Sequence, residues 1–452
     1  MAFRSIDPTT GECWRSVAEA TPDDLERALA RASAARGPWA ATPIAERAAR
    51  LRDVAARLRA QAGEYATLVA REMGKPVVEG EAEIAKCAAT CDFYAEHAAA
   101  LLEPEPKPSA GDRAYVRFDP LGTVLVVMPW NFPFWQVVRC AAPTLVAGNT
   151  LVLKHAENVP GCAEALADVF TPLPGGVFES VPLARERVRA VIADARIHAV
   201  TLTGSTTAGR VVAAVAGAAL KKSVLELGGS DAFVVLDDAD VAAAARTAAQ
   251  ARLGNAGQSC IAAKRFLVVE TVADAFVEAL VAEMGGRRVG NPLERETQMG
   301  PLARHDLRNA LHRQVQRSIA RGAGCVLGGR LPDGPGAFYP PTVLVDVVPG
   351  MPAFDEETFG PVAAVVRVRD EAAAIRLANA SPYGLGASVW SADRARAERM
   401  AAGLEVGSVF VNGQVRSDPR LPFGGIKQSG YGRELGAYGI RELVNVKTVV
   451  VR

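Results

Sequence analysis

Three things are missing from this chain of 452 residues, and each closes off a class of function. No sign of charge is in excess: 51 Lys and Arg against 50 Asp and Glu leave a formal net charge of +1, which gives no electrostatic footprint for nucleic acid or an anionic membrane. No run of about 18 apolar residues occurs, the length a spanning helix needs. The opening Met1-Ala-Phe-Arg-Ser-Ile-Asp-Pro also lacks the apolar centre of a secretory leader, so neither secretion nor a membrane span is expected. Paired cysteine spacing is absent too. The seven cysteines, at 13, 87, 91, 140, 162, 260 and 325, are odd in number and scattered, so neither a disulfide framework nor a metal site is expected and a reducing, cytoplasmic setting fits.

Two nucleotide-binding signatures are also wanting. No G-x-G-x-x-G follows the first strand of the α/β region. In Thr203-Gly204-Ser205-Thr206-Thr207-Ala208-Gly209-Arg210 the arginine, and Val211 after it, stand where a P-loop needs Lys and Ser or Thr. An ordinary Rossmann domain and NTP hydrolysis are both disfavoured.

What is present is a globular composition, 49% hydrophobic and 22% charged, with chain enough for two or three domains. Thr21-Pro22-Asp23-Asp24 has a capping residue, a proline at the first helical position and acids in the first turn, which predicts a helix to about Ala35. Pro43 opens a second helix, Gly74-Lys75-Pro76 closes a third, and Val77 to Leu102 carries a fourth. These are expected to be scaffold, Cys87, Cys91 and His97 included. Pro104, Pro106 and Pro108 then impose an extended connector. Beyond it strands predicted near 115–118, 123–128, 150–153, 177–181, 197–202, 222–227 and 232–236 are separated by helical patterns at 134–146, 160–169, 184–193 and 205–219. A second series has strands near 265–269, 342–347, 362–368, 386–391 and 406–411. Such alternation predicts an α/β fold of doubly wound parallel sheets, with a boundary near Gly228-Gly229. A tail strand, Glu442 to Val450, has no partner in either series and is expected to pair with the 113–118 segment or with another subunit.

Ligands of open parallel sheets bind beyond the carboxyl ends of strands, and the reactive residue types collect there. In Asn255-Ala-Gly-Gln-Ser-Cys260 small and polar residues deliver one cysteine. Gly254 and Gly257 would admit a bound reactant close to the backbone, and Gln258 and Ser259 would keep the approach polar, so Cys260 reads as a nucleophile. Pro129-Trp130-Asn131-Phe132-Pro133 is a stiffened turn that leaves one amide to stabilise an oxyanion, or is merely a rigid aromatic turn. Lys154 and Glu157 suit the hydroxyls of a ribose, or form a surface ion pair. Hydroxyls and amides at 203–207 suit a phosphate at a helix start. Glu226, ahead of Gly228-Gly229, is a candidate general base, or a carboxylate paired with Lys221, Lys222 or an arginine.

Pro129-Trp-Asn-Phe-Pro133, Glu226-Leu-Gly-Gly229, Gly257-Gln-Ser-Cys260, Glu357-Thr-Phe-Gly-Pro361 and Pro422-Phe-Gly-Gly425 resemble, in order and spacing, the motifs of the aldehyde dehydrogenase superfamily over nearly the whole chain. Lys154-His-Ala-Glu-Asn-Val-Pro160, the stretch from Gly257 to Arg265 and Ser417-Asp-Pro-Arg-Leu-Pro422 are most similar to the shorter bacterial succinate-semialdehyde dehydrogenases. The resemblance implies two doubly wound parallel-sheet domains with a small β extension for oligomerisation. Residues 1–110 and 126–228 would bind NAD(P), 229–418 would form the catalytic domain, and 111–125 and 434–452 would supply the oligomerisation strands of a dimer or tetramer.

It further implies oxidation of an aldehyde, succinic semialdehyde or another aliphatic or omega-carboxy aldehyde such as glutaric semialdehyde, to the carboxylate. Cys260 would be the nucleophile that forms the thiohemiacetal and thioester, Glu226 the base that activates water, and Asn131 the oxyanion donor. The cofactor would be held by Trp130, Lys154, Glu157, Thr203, Gly204, Ser205, Leu227, Glu357 and Phe359. Arg139, Trp135 and Ser417 would contact the substrate, with no metal involved. Glu157 should accept the free ribose hydroxyl of NAD and repel the phosphate of NADP, so NAD is the expected cofactor with NADP possible. Two positions depart from relatives. Gly254 replaces an arginine that some of them carry six residues before the nucleophile, and Ala262 removes a redox-switch cysteine. A thiol hydrolase of amides or nitriles, which would need a lysine near Cys260, and a non-catalytic scaffold are the competing readings.

Overall fold

The computed structural model describes residues 2–108 and 111–452; Met1, Ser109 and Ala110 lie outside the described residues. Four helices open the chain after a short hairpin. Thr21 caps Pro22–Ala41 by the full reciprocal box, its hydroxyl accepting from the Asp24 N–H and its own N–H donating to the Asp24 carboxylate. This helix runs past the expected stop at Ala35 and through Pro38, because Trp39 is buried and its indole donates to the Leu145 carbonyl at 2.9 Å. Ile44–Ala60, Ala62–Met73 and Val77–Leu101 follow, and Ala62–Met73 ends at Gly74 with φ +81°, a left-handed cap that glycine adopts without strain. The hairpin Ala2–Ile6 with Cys13–Ala18 was not foreseen. Most of its residues are exposed or half-exposed, so no apolar run marks it.

A six-stranded sheet has the order Gly430–Tyr431, Lys222–Glu226, Ile197–Thr203, Thr123–Val127, Thr150–Lys154, Phe178–Ser180. All its pairings are parallel except the Gly430–Tyr431 edge. Its strands are buried on both faces: Val124 and Val126 belong to the apolar cluster with Leu51 and Ile84, and Leu125 between them packs with Leu29 and Ile192 on the other side. The sheet reverses its winding between Thr123–Val127 and Ile197–Thr203. The loops after these two strands, carrying Trp130-Asn131 and Gly204-Ser205, therefore open onto a common crevice.

The next strand, Asp231–Val235, belongs to a different sheet of seven strands, in the order Gly324–Leu327, Thr342–Val345, Val362–Val368, Ala263–Val269, Asp231–Val235, Gly386–Trp390, Ser408–Val411. Here too one edge strand, Gly324–Leu327, is antiparallel, a departure from wholly parallel winding. The tail strand Val444–Val451 pairs antiparallel with Arg113–Pro120 along its whole length, answering the question its sequence left open. Glu105–Pro106 makes the third strand of that small sheet. Thr123–Val127 lies in the six-stranded sheet, so the extension stops at Pro120 and does not continue to residue 125.

Candidate active site

Cys260 follows a loop held in an unusual shape. Asn255 and Ala256 take φ of +54° and +51°, and Gly257 takes +73°. A Cβ at Gly257 would stand 2.4 Å from the Gly360 carbonyl oxygen, so only glycine fits there. Left-handed backbone at non-glycine residues costs free energy and persists where surroundings enforce it. Here they do. The Asn255 N–H donates to the Glu79 carboxylate at 2.8 Å, and its side-chain amide donates to the Asn131 carbonyl at 2.7 Å. Gln258 ties the loop further, donating to the Asn255 carbonyl and accepting from the Ala303 N–H, so its role is to anchor. Gly254 differs from expectation: a Cβ there would meet nothing within 4 Å, so that glycine leaves space instead of permitting a close approach.

Two cavities meet at Cys260. One, of about 260 Å³, is walled by Trp130, Asn131, Thr203, Gly204, Ser205, Leu227, Glu357 and Phe359. Every one of these was expected from the sequence. Asn131 is buried, and its side-chain nitrogen donates one hydrogen to the Gln258 carbonyl at 2.9 Å, the second having no acceptor among the described residues. The Cys260 backbone N–H has no acceptor among the described residues, so two donors flank the thiol. Ser205 caps the helix Thr206–Ala218, accepting from the Ala208 N–H, and the amides of Thr206 and Thr207 have no intrachain acceptor among the described residues. Glu357 accepts from the Gly229 N–H at 3.0 Å and lies so close to Gly228 that a Cβ there would come within 2.5 Å of its carboxylate. Phe359 meets Trp130 edge-on at 5.8 Å. A groove with helix-start amides at one end, a carboxylate over a side-chain-free glycine and the thiol at the other end fits a dinucleotide. Lys154 and Glu157, 3.8 Å apart, lie beyond the cavity lining. Glu157 accepts from the Arg185 N–H at 2.9 Å, and His155 is buried with its ring on the Pro133 carbonyl at 2.9 Å.

The other cavity, of about 290 Å³, is walled by Trp135, Arg139, Ser417, Phe423 and Phe132, with Lys86 and Gln136 among them. The first three were expected; Lys86 and Gln136 were missed. Gln136 lines both cavities, and its buried side-chain oxygen has no hydrogen-bond partner among the described residues. Arg139 is fully enclosed: it forms an ion pair with Glu434, donates to the Thr203 hydroxyl at 3.2 Å and lies 4.7 Å over the Phe423 ring. Its charge is therefore compensated inside the fold, by a carboxylate that nothing in the local sequence marks.

Glu226 lines neither cavity. It is buried, and neither carboxylate oxygen has a hydrogen bond among the described residues. Among the described residues Glu226 has no ion pair: Lys221 donates to the carbonyls of Ile192 and Asp194, Lys222 pairs with Glu442, Arg139 pairs with Glu434, and Arg433 donates to the carbonyls of Gly425 and Gly432. Burial, and then the like charge of Glu434, raise the Glu226 carboxyl well above the usual range, against the opposing pull of Arg139 and Arg433. Its charge in turn acts on the Cys260 thiol, which burial pushes up to about 12 while Arg139 and Lys264 favour the thiolate. Lys264 is the lysine that a thiol hydrolase would need, but its Nζ donates to the Ser259 and Cys260 carbonyls at 3.0 and 2.8 Å and lies 3.5 Å from Glu357. Engaged in that way, it braces the loop, and its charge favours the thiolate.

Comparison with known proteins agrees with this geometry. The model of the aldehyde dehydrogenase family matches residues 1–449. The chain is 49% identical to the succinate semialdehyde dehydrogenase, NAD(P)+, of Escherichia coli strain K12, over 98% of this chain and 97% of that one. It is 46% identical to a succinate-semialdehyde dehydrogenase, NADP(+), of Mycobacterium bovis, over 99% of each. The crystal structure of succinic semialdehyde dehydrogenase from Streptococcus pyogenes with NADP+ superposes with a TM-score of 0.97 at 36% identity, over 99% of each chain.

Proposed function

The chain belongs to the aldehyde dehydrogenase family, and from that premise we propose that it oxidises succinic semialdehyde to succinate, with Cys260 as nucleophile. That it is an NAD(P)-dependent enzyme making a carboxylic acid from an aldehyde follows from the family and its relatives. The observation that carries the narrower reading is the meeting of two cavities at Cys260, one shaped for a dinucleotide and one holding cationic side chains on aromatic walls.

Thr203, Gly204, Ser205 and Trp130 would hold the pyrophosphate, Leu227, Glu357 and Phe359 the nicotinamide ribose and ring, and Lys154 and Glu157 the adenosine ribose. Bound there, the dinucleotide supplies the hydride acceptor. Cys260 Sγ, its proton given up to solvent and its thiolate favoured by the charges of Arg139 and Lys264, adds to the aldehyde carbon, and the oxyanion is received by the second Asn131 amide hydrogen and the Cys260 N–H. After loss of hydride the acyl group rests on sulfur as a thioester. Glu226 then takes a proton from the attacking water; no hydrogen bond restrains its carboxylate, so rotation toward Cys260 breaks none. Asn131→Ala should lower kcat by roughly 10²- to 10³-fold, the usual worth of one oxyanion donor, read as the steady-state rate of cofactor reduction.

Cofactor choice is corrected. The sequence argument for NAD rested on Glu157, but that carboxylate already accepts the Arg185 N–H and lies near Lys154, and the relatives are named for NADP(+) or NAD(P)+. A preference for NAD is not carried forward, and use of both cofactors is proposed. Glu157→Gln should raise the ratio of kcat/KM with NADP to that with NAD roughly fivefold, the worth of about 1 kcal/mol of surface charge repulsion; an unchanged ratio would remove Glu157 from the cofactor site. We also propose a cytoplasmic location, consistent with seven unpaired cysteines, and a homo-oligomer joined through the edge strand Val444–Val451, on which Val446 and Val450 are exposed. Among the described residues no helix is long and apolar enough to cross a membrane.

A panel of aldehydes run with NAD and with NADP tests the function. Reduced nicotinamide should accumulate fastest with succinic semialdehyde, and an absorbance that stays flat across the panel would reject the proposal.

A further inference from the structure

We propose that Lys86 is the residue that recognises the substrate carboxylate, clamped between the Trp135 ring and the Ser417 hydroxyl on the wall of the cavity opposite the dinucleotide groove. This deepens the reading of the protein as a dehydrogenase of a carboxylated aldehyde and rests on it.

The charges around that cavity decide the matter. Four ionisable residues line it besides Cys260. Glu83 is neutralised by a buried ion pair with Lys75 and also accepts from the N–H groups of Phe134 and Trp135 at 2.9 Å. Glu79 accepts from the Asn255 N–H, and burial raises its carboxyl toward the neutral form. Arg139 is paired with Glu434. Of the two cations, Arg139 and Lys86, only Lys86 has no ion pair among the described residues. Its Nζ lies 4.1 Å over the Trp135 ring and donates to Ser417 Oγ at 2.7 Å. A lysine has three donors, so this arrangement leaves hydrogens for a ligand.

The position also answers a gap in the sequence. Gly254, where some relatives have arginine, lines this cavity and has open space where a Cβ would stand. A cation is absent on that side and supplied from the helix Val77–Leu101 instead. Arg139 and the Lys86 ammonium share the cavity, and burial together with the Arg139 charge pushes Lys86 down to about 8, against the opposing pull of Cys87, Glu83 and Asp418. A carboxylate beside an uncompensated, partly desolvated ammonium gains a charge-assisted hydrogen bond and relieves that charge at once.

The test compares succinic semialdehyde with butanal, its four-carbon uncharged counterpart, in wild type, Lys86→Met and Lys86→Arg. Methionine keeps most of the aliphatic stem that packs on Trp135. In Lys86→Met the ratio of kcat/KM for succinic semialdehyde to that for butanal should fall by roughly 30- to 100-fold, mostly through KM, and Lys86→Arg should recover most of it. In wild type, KM for succinic semialdehyde should rise as pH passes about 8, when the ammonium loses its proton, while KM for butanal stays level. A substrate ratio unmoved in Lys86→Met, with succinic semialdehyde still well used, would overturn the Lys86 assignment alone. A wild type that oxidises butanal and rejects succinic semialdehyde would overturn the substrate reading with it.

Discussion

Cys260→Ala is expected to abolish aldehyde-dependent cofactor reduction, lowering kcat by on the order of 10⁴-fold or more. The sulfur is the covalent partner of the substrate, and no other thiol lines either cavity among the described residues. Of the cysteines, Cys87, Cys91, Cys140 and Cys162 are buried in the cores, and Cys13 and Cys325 lie outside both cavities. Tryptophan fluorescence on titration with NADP should still report binding in the variant, because every lining residue of the groove other than Cys260 is kept. A variant that bound cofactor and still turned over at a tenth of the wild-type rate would show that the thiol is not the attacking group. The same protein should also lose hydrolysis of activated esters, which needs the thiol but no hydride transfer.

The second large effect is that of Glu226→Gln. Hydride transfer precedes the step Glu226 serves, so the variant should give a burst of reduced cofactor close to one per active site and then a steady rate roughly 10²- to 10³-fold below wild type. The pH profile carries the mark of that role. A carboxyl held above its usual range acts as a base only after losing its proton. Deacylation should therefore increase with pH through an apparent pKa above that of an ordinary glutamate, and be lost as pH falls below it. Glu226 and Glu434 interact, so this limb reports the pair. In Glu226→Gln that limb should vanish. Absence of a burst with a tenfold slower first turnover would instead place Glu226 before hydride transfer, as an aid to thiolate formation.

How much of this was legible before the fold was known depends on where each signal lies along the chain. Parallel strands covered on both faces read as continuous apolar runs, which is why Thr123–Val127, Thr150–Lys154 and Val362–Val368 were found close to their true limits. Asn131, Ser205, Glu226 and Cys260 come directly after such runs or in loops of small residues, so strand ends pointed to them. The groove residues Glu357 and Phe359 follow no strand and were found through the resemblance alone. Edge elements were poorer: the hairpin at Ala2–Ile6 and the strand Gly324–Leu327 are too short and too exposed to carry an apolar pattern.

Lys86 was hidden for a different reason. On an alanine-rich helix with many charges, a lysine is indistinguishable from the solvated ones, and only the packing of Val77–Leu101 against Trp135–Val146 turns it into a cavity. Arg139 was seen, but its neutralisation was not, because Glu434 lies 295 residues away in sequence and reaches it through the return of the chain after Pro422-Phe-Gly-Gly425. Glycines were misjudged singly. Gly257 is required by a left-handed backbone against Gly360, whereas Gly254 leaves room for a ligand.

Acid-quenched mass spectrometry of the peptide that carries Cys260 bears most directly on the whole scheme. Glu226→Gln, mixed with succinic semialdehyde and NADP and stopped within the burst, should show Cys260 heavier by one succinyl group, in step with the reduced cofactor formed. Reduced cofactor produced in full while the Cys260 peptide keeps its unmodified mass would mean that hydride leaves the substrate without a bond to sulfur.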